Sequence, residues 1–513
     1  MTTKAIDLIT KGSIAIIAAL ILNACGGGDS GDSNSVSVPN VVGDTQAAAD
    51  AAISGAGLTV GTVTSQSSST VASGEVISES PAAATRVAKG SAVALVVSSG
   101  AATYTVGGTL IGLAAGATVQ VLNGTETLRV AANGSFTLPT GLLSGGGYAV
   151  TVGKPTSAQT CTVQNGSGTV ASANVTNVVV YCTYTVTTAT LNATYTTVFV
   201  NFNDGPGDSV ILDSAEVAAY NGAGGYSGIA TFNYGGTILT DFKVSDTYAV
   251  ATTNGIPKFS DDTGVRGGIE GANADSTVGA NALTGIAPGM SVGVLPNASA
   301  TTASIDGDYT LVNITASLST KAVSVYEATI TVTTGVVAGT FVENSGGTIT
   351  TGNPASGTWS VTNGAVTAVG SGSGAVSANG DLIVLADTHS GDNPYINVAV
   401  RRGSGVTEAT FEGVYSVCEY GGTTVSATFG EDITLFAYGN GTYSVTSTNN
   451  TNRIITTNNT DTGTYTIAAD GTLTLIDSKG ELYNGAIAAD GNALVLASVT
   501  STQSPAVFAG VRQ

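Results

Sequence analysis

Hydrophobic and polar residues alternate along most of the chain, with the period of two that β-strands show when one face is buried. Val, Thr, Tyr and Ile dominate the alternating segments, and Gly and Asn stand between them as turn residues. The segment from Val376 to Ala386 is typical, because two apolar runs flank Asn379-Gly380. The pattern predicts a mainly β protein.

Residues 38–100 interrupt this pattern with one helix. Asp44 or Thr45 can cap its start, and Gly57 follows it at the position where a helix commonly ends. The run from Val93 to Val97 is typical of a buried strand. We therefore predict a small α+β module in this part of the chain.

This module resembles a PASTA domain, which occurs on the extracellular parts of bacterial serine/threonine kinases and penicillin-binding proteins. The motifs that carry the resemblance follow in order: Val38-Pro39-Asn40-Val41-Val42-Gly43, Gly57-Leu58-Thr59-Val60-Gly61, Gly74-Glu75-Val76-Ile77-Ser78-Glu79-Ser80-Pro81 and Val87-Ala88-Lys89-Gly90-Ser91. Ala84 departs from the family, which usually has glycine in this turn. The resemblance implies either contact with peptidoglycan, for which Glu79, Arg86 and Lys89 are the available charged groups, or a spacer role.

Residues 103–183 contain seven or so short alternating segments, including an Asn133-Gly134 hairpin signal. This number of strands fits an Ig-like β-sandwich. The unit also resembles the bacterial Ig-like repeats of surface proteins, which implies a rigid spacer. Cys161 and Cys182 both lie in it, and in an oxidising compartment we expect them to form a disulfide.

Residues 184–513 contain three internal repeats, at about 189–298, 303–403 and 409–513. Each repeat opens on a segment with a tyrosine, has a second aromatic residue midway and closes on an apolar segment. The opening tyrosines are Tyr195, Tyr309 and Tyr415, the middle aromatics are Tyr248, Trp359 and Tyr465, and the closing segments end at Leu295, Arg402 and Arg512.

Two folds can hold these repeats. Six half-repeats would make a β-propeller of about six four-stranded blades, and this is the fold we expect. The alternative is tandem eight-stranded β-barrels, one per repeat, in which the opening strand pairs with the closing strand. Turn pairs at Asn254-Gly255, Asn379-Gly380, Asp470-Gly471 and Asp490-Gly491 predict type I′ hairpins in either case.

The N-terminus has the pattern of a secretory signal, with Lys4 and Lys11 before a short apolar core. The sequence Leu22-Asn23-Ala24-Cys25 resembles the lipobox of bacterial lipoproteins. This resemblance implies a signal peptide at residues 1–24, lipidation of Cys25 by acyl chains such as palmitate, and a flexible tether at residues 25–37. In a Gram-negative cell, Gly26 after the lipidated cysteine favours the outer membrane.

The charge balance excludes one class of partner. The net charge is −20, with only 15 Lys and Arg against 35 Asp and Glu. Nucleic-acid binding needs clustered cations, so we do not expect it. No second apolar run of transmembrane length follows the signal, and we predict that the remaining cysteine, Cys418, is a small buried hydrophobe on a strand.

Few residues suggest chemistry. His389 is the single histidine, so a zinc site and a Ser-His-Asp triad are both poorly supported. Turn-forming roles explain the acidic residues of the Gly-rich loops better than calcium binding does, since none has EF-hand spacing; these are Asp204, Asp208, Asp261 and Asp262. The repeated aromatics are expected to pack in cores rather than to form a sugar platform. We predict no catalytic residue, metal or cofactor.

The sequence therefore predicts a non-enzymatic, lipid-anchored cell-envelope protein. Its PASTA module would contact peptidoglycan, and its large β domain would display a binding surface for a ligand that the sequence does not identify. One alternative is a propeller enzyme acting on a carbohydrate or other polymer through acidic residues, which a pair of perturbed carboxylates in one central cavity would favour. Another is a structural adhesin or spacer.

Overall fold

The computed structural model describes residues 34–201, 212–234, 236–253, 256–261, 265–269, 275–281, 288–369, 372–389, 393–424, 427–451, 453–498 and 504–513. The chain divides into two compact units, Met1–Ala102 and Thr103–Gln513. Strands dominate both units, so the predicted mainly β class is confirmed. Among the described residues, no helix is long and apolar enough to span a bilayer.

The first unit is a small α+β module. Its elements are β1 (Ser35–Ser37), α1 (Gln46–Gly55), β2 (Thr59–Gln66), β3 (Val76–Ser80), β4 (Arg86–Ala88) and β5 (Ala92–Ser98). β5 is central, with β2 parallel on one side and β3 antiparallel on the other, and β1 pairs separately with β4.

Local sequence explains the helix of this module. The Thr45 hydroxyl caps it by accepting a hydrogen bond from the Ala48 N–H at 3.4 Å. Ala49 and Ile53, four residues apart on one face, are fully buried in the core of the module. Gly57 has φ +75°, the left-handed conformation that ends helices. The predicted cap and terminating glycine are both confirmed.

The second unit begins with a β-sandwich. Its strands are β6 (Thr103–Tyr104), β7 (Val106–Ile111), β8 (Val119–Asn123), β9 (Glu126–Val130), β10 (Gly134–Thr137), β11 (Leu142–Leu143), β12 (Gly147–Val152), β13 (Gln159–Gln164), β14 (Ser167–Thr169) and β15 (Val175–Tyr184). One four-stranded sheet has the order β10-β7-β15-β13 and the other β14-β12-β8-β9, and their apolar residues share one core. An Ig-like relationship of this sandwich remains a prediction.

Two sequence expectations for the sandwich have different outcomes. The disulfide between Cys161 and Cys182 is present, and it joins directly opposed residues of β13 and β15. The Asn133-Gly134 hairpin is wrong, because β9 and β10 lie in different sheets. The Asn133 side chain instead exchanges two hydrogen bonds with the backbone of Leu113, so this turn carries the chain from one sheet to the other.

The three repeats form three closed eight-stranded barrels within the described residues. The first contains β16 (Thr194–Asn201), β17 (Leu212–Tyr220), β18 (Gly225–Tyr234), β19 (Thr237–Thr253), β20 (Ile256–Asp261), β21 (Val265–Ile269), β22 (Ser276–Asn281) and β23 (Met290–Val294). The second contains β24 (Gly307–Ala316), β25 (Val323–Thr333), β26 (Val336–Ser345), β27 (Thr348–Thr362), β28 (Ala365–Ala368), β29 (Gly372–Val376), β30 (Leu382–Asp387) and β31 (Tyr395–Arg401). The third contains β32 (Glu412–Thr424), β33 (Ala427–Tyr438), β34 (Thr442–Thr451), β35 (Ile454–Ile467), β36 (Thr472–Asp477), β37 (Leu482–Ile487), β38 (Ala493–Ser498) and β39 (Ala506–Arg512). Short 3₁₀ turns, Thr188–Thr190 and Thr302–Ile305, precede the first two.

The propeller expectation is therefore wrong, and the tandem-barrel alternative is confirmed. Each barrel closes because its first strand pairs antiparallel with its last, as in Tyr309 opposite Arg401 and Tyr415 opposite Arg512. A propeller blade would instead leave each half-repeat as an open four-stranded sheet. Closure removes the exposed sheet edges that half-repeats would carry.

The barrels pack against one another through their outward faces. A shared apolar cluster takes Val198 from the first barrel, Val312 from the second, and Cys418 and Tyr420 from the third. A smaller cluster attaches the sandwich to the third barrel, where the rings of Tyr181 and Phe436 meet edge to face at 5.2 Å. Outward-facing residues thus make the contacts between the barrels. The inward-facing residues determine whether each lumen is packed or contains a cavity.

The predicted turn positions within barrels are correct, but the turn type is wrong. Gly380, Gly471 and Gly491 have φ between +74° and +83°, whereas the Asn or Asp before each does not have positive φ. In each turn the glycine N–H donates to the carbonyl three residues earlier. These are type I turns followed by a left-handed glycine, the pattern of slightly longer hairpin loops. Asn254-Gly255 lies outside the described residues.

Candidate functional site

The lumen of the third barrel is filled with apolar side chains at one end and is open at the other. Aromatic and aliphatic residues such as Phe411, Tyr415 and Leu473 pack the filled end. Beyond them lies a cavity of about 660 Å³, a size within the range of small-molecule sites. Its walls use alternate residues of the strands, as the inward face of a barrel requires.

Two glutamates stand side by side on the cavity wall. Glu419 of β32 lies directly opposite Glu431 of β33 in the antiparallel ladder, so their Cβ atoms are roughly 4.5–5.5 Å apart. Both line the cavity, and both are only partly reached by solvent. The side chains of Ser447 and Asn449 of β34 lie beside the Glu431 carboxylate and favour its charged form, and the Ser447 hydroxyl donates a hydrogen bond to the Asn449 side-chain oxygen at 3.0 Å. The arrangement places two carboxyl groups next to each other in a half-buried site.

A second group of polar residues reaches the cavity from β36 and β37. The Tyr483 hydroxyl donates a hydrogen bond to the Glu481 carboxylate at 3.2 Å, and the ring of Tyr483 packs edge to face on Phe508 at 5.1 Å. The Asp477 carboxylate accepts the backbone N–H groups of Lys479 at 2.9 Å and Glu481 at 2.7 Å, which fixes this turn. Lys479 brings a positive charge to the same wall.

The electrostatics of the cavity reflect crowding of negative charge. Burial raises the pKa of Glu419 well above its usual range, and the Glu431 and Glu481 carboxylates raise it further. Burial also raises the pKa of Glu431, although hydrogen bonds and Lys479 oppose the shift. Burial and the nearby carboxylates raise the pKa of Tyr483. Glu419 and Glu431 therefore retain a proton between them at pH values where exposed glutamates are ionised.

The second barrel shows which other side chains the fold accepts at the same positions. Counting from the opening tyrosines, Asn313 corresponds to Glu419 and Tyr326 corresponds to Glu431, and these two also face each other. The Asn313 amide donates to Asn397 at 2.8 Å, and Tyr326 packs on Phe341 with ring centroids 5.0 Å apart. In the first barrel the corresponding pair is Phe199 and Ser214. The carboxylate pair thus belongs to the third barrel and is not a requirement of the fold.

This cavity can bind a ligand, and its carboxyls can exchange protons. A carboxyl with a raised pKa can serve as a general acid, and a neighbouring carboxylate can serve as a base or an ion-pairing group. No group of three His, Cys, Asp or Glu residues with metal-holding geometry exists in the described parts of the chain.

The residues that the sequence singled out lie elsewhere. Cys25 is outside the described residues, as are Asp204, Asp208 and Asp262, and the side chain of Asp261 is not described. Cys418 is buried between barrels, and burial raises the pKa of its thiol to about 12, which agrees with the predicted inert role. His389 is exposed in a loop, where its backbone N–H donates to the Asp387 carboxylate at 2.9 Å.

The repeated aromatics are core residues, as predicted. Tyr195, Tyr309 and Tyr415 are at most 2% exposed, and Trp359 is 6% exposed. Sequence reasoning missed Glu419 and Glu431, although a signal existed. Aligning the repeats on their opening tyrosines shows a glutamate where the other repeats have phenylalanine and asparagine.

The charged residues of the first unit differ in accessibility. Arg86 and Lys89 are exposed, and Arg86 donates to the hydroxyl of Ser35 at 3.1 Å. Both carboxylate oxygens of Glu79 are buried without a hydrogen-bond partner among the described residues. Of the three groups considered for a muropeptide, only Arg86 and Lys89 are therefore presented to solvent.

Comparison with known protein families gives a match for one segment near the N-terminus. Residues 36–99 match the PASTA domain family, which confirms the resemblance seen in the sequence. No curated protein matches this sequence.

Solved structures show distant similarities. The extracellular region of the Ser/Thr kinase PrkC from Staphylococcus aureus matches at 21% identity and a TM-score of 0.13, over 24% of this chain and 50% of that one. This chain therefore spans half the length of that structure. Transferrin binding protein B matches at 11% identity in both a Haemophilus parasuis mutant and a Neisseria meningitidis form, with TM-scores of 0.20 and 0.21. Each of these two matches covers 62% of this chain and 75% of the other.

Proposed function

We propose that this chain is a non-enzymatic binding protein of the bacterial cell envelope, anchored by lipid at Cys25. The observation that carries the proposal is the PASTA domain at residues 36–99. Its exposed Arg86 and Lys89 offer positive charge to the carboxylates of peptidoglycan stem peptides. The three barrels form the binding part, since the third contains a cavity of about 660 Å³ lined by both aromatic and ionisable residues.

Retention on insoluble peptidoglycan tests the first half of this proposal. The chain from residue 26 onward should sediment with peptidoglycan and remain soluble with cellulose. A chain that lacks residues 36–99 should remain soluble with both. The double variant Arg86→Ala, Lys89→Ala should bind several-fold more weakly, whereas Arg129→Ala, an exposed arginine of the sandwich, should bind normally. Equal retention with and without residues 36–99 would reduce the PASTA domain to a spacer.

A second candidate function is hydrolysis of a polysaccharide. The specific observation in its favour is that Glu419 and Glu431 face each other across the ladder inside the cavity, because glycosidases act through a pair of carboxyl groups. Incubation with peptidoglycan followed by measurement of new reducing ends separates the two functions. The binding proposal expects no release above a heat-treated sample. Release that is abolished by both Glu419→Gln and Glu431→Gln would replace it with a glycosidase.

A further inference from the structure

The charge of the third-barrel cavity is strongly one-sided. Its described lining carries five carboxylates and a single cation, Lys479: the carboxylates are Glu419, Glu431, Asp461, Asp477 and Glu481. A half-buried site with this balance attracts positive charge, because low dielectric strengthens the field of the carboxylates. An anionic ligand would meet repulsion on most of the wall.

The aromatic residues define the rest of the ligand. Phe429, Tyr443, Tyr483 and Phe508 line the same cavity. Ring faces attract cations and also bury apolar carbon. A bare metal ion has no apolar carbon to bury against these rings, and the described residues hold no three-ligand metal group. An organic cation uses both the carboxylates and the rings.

Resting on the binding role proposed above, we infer that this cavity binds a small organic cation with an ammonium or guanidinium head. The head lies between Glu419 and Glu431, within reach of Glu481, and the carbon body lies against Tyr483 and Phe508. A guanidinium can engage carboxylates through paired N–H groups, and an ammonium can donate three hydrogen bonds.

The second barrel supports this inference from within the same chain. There, Asn313 and Tyr326 occupy the positions of the two glutamates, the Asn313 amide donates to Asn397, and the Tyr326 ring packs on Phe341. Two adjacent, partly buried carboxylates destabilise a fold unless a cation or a shared proton compensates them. Since the fold tolerates neutral residues at these positions, the glutamates are explained by a ligand of opposite charge.

Binding should release a proton and strengthen as pH rises. The raised pKa of Glu419 and Glu431 means that the empty pair holds a proton, which a cation must displace. The other ionisable groups that face the pair are Tyr443 of β34, Asp461 of β35, Asp477 of β36, and Lys479, Glu481 and Tyr483 in and before β37. The described lining of β38 and β39 adds no ionisable side chain.

Isothermal titration calorimetry with the chain from residue 26 onward tests the inference. The probes are agmatine and cadaverine, with 1,5-pentanediol as the neutral analogue, glutarate as the anionic analogue and calcium chloride as the metal control. We expect at least one amine to bind at pH 8 and to bind at least fivefold more weakly at pH 5.5. Repeating the titration in buffers of different ionisation enthalpy should show proton release.

Amine binding by single-residue variants then tests whether the cation lies at the glutamate pair. Glu419→Gln and Glu431→Gln should each weaken amine binding at least tenfold, and Lys479→Met should strengthen it several-fold. Glu343→Gln is the matched control, because Glu343 pairs with Tyr326 in the second barrel as Asn449 pairs with Glu431 in the third. It should leave binding unchanged.

Several results would overturn the inference: no amine binding at pH 8, tighter binding of glutarate or calcium, or weakening by Lys479→Met. An equal effect of Glu343→Gln would do the same. None of these outcomes affects peptidoglycan retention through residues 36–99, so failure of the cavity inference and failure of the envelope proposal can be told apart.

Discussion

Replacing Asp381 by asparagine should stabilise the three-barrel unit at neutral pH. Asp381 lies between β29 and β30, where burial raises the pKa of its carboxyl to about 6, with Asp490 adding to the shift and Arg401 opposing it. Asp275 of the first barrel also has a raised pKa, caused by burial and then by Asp490. Asp490 of the third barrel therefore repels one carboxylate of the first barrel and one of the second.

The sign and size of the effect follow from linkage. A carboxyl whose pKa is higher in the folded than in the unfolded state loses stabilisation as pH rises from about 4 to about 6. A rise from 3.8 to about 6 corresponds to about 3 kcal/mol at full burial. Because Asp381 keeps partial contact with solvent, we expect about 1–1.5 kcal/mol from its neutralisation at pH 7.5. Near pH 4 the gain should almost vanish, since the folded protein already carries the proton.

Differential scanning calorimetry at pH 7.5 and pH 4 measures this difference. In a unit of this size, the transition of Asp381→Asn should rise by about 1–3 °C at pH 7.5 and should stay level at pH 4. Asp241→Asn is the control, because Asp241 is exposed and its positive φ of +55° suits asparagine as well as aspartate. A lower transition at pH 7.5, or the same shift at both pH values, would refute the repulsion argument.

Three further predictions concern other parts of the chain. Ala84→Gly should stabilise the PASTA domain by about 0.5–1 kcal/mol in urea unfolding, because Ala84 has φ +64°; a loss of stability would show that the strain lies elsewhere. Cys161→Ser should lower the unfolding free energy of the sandwich by about 3 kcal/mol, since the bond spans a sequence separation of 21, whereas peptide mapping should find Cys418 free. Cys25→Ser should abolish palmitate incorporation in cells, and normal labelling of that variant would contradict the lipoprotein prediction.

Sequence periodicity was enough to predict strands and repeats because both are local or recurring signals. The period of two, the Asn-Gly and Asp-Gly turns and the opening tyrosines all belong to single segments of chain. The helix of the PASTA domain could be predicted equally well, because Thr45, Ala49 and Gly57 each affect only the one or two helical turns next to them.

Barrel closure was harder to predict because it depends on pairing between strands about ninety residues apart, such as β24 with β31. The same half-repeat of alternating strands can form a propeller blade or half of a barrel. The two folds differ only in whether the edge strands of one half-repeat pair with those of the other. Turn type was missed for a related reason. A glycine after Asp or Asn serves either a type I′ turn or the end of a longer loop, and the choice depends on how many residues the flanking strands pair.

The glutamate pair indicates function because inward and outward residues of these barrels have different roles. Outward residues pack between barrels, and inward residues line the lumen. Cys418 and Tyr420 point outward into the apolar contact between barrels, whereas Glu419 between them points into the lumen. A change at position 419 therefore leaves the assembly of the three barrels intact and alters only the cavity. The barrels can therefore pack together through similar outward faces while their inward faces differ, as the Tyr326–Phe341 ring contact of the second barrel and the cavity of the third barrel show. Glu419 and Glu431 reduce the stability of the barrel and are not needed for its assembly, so binding of a ligand is the best explanation for their presence.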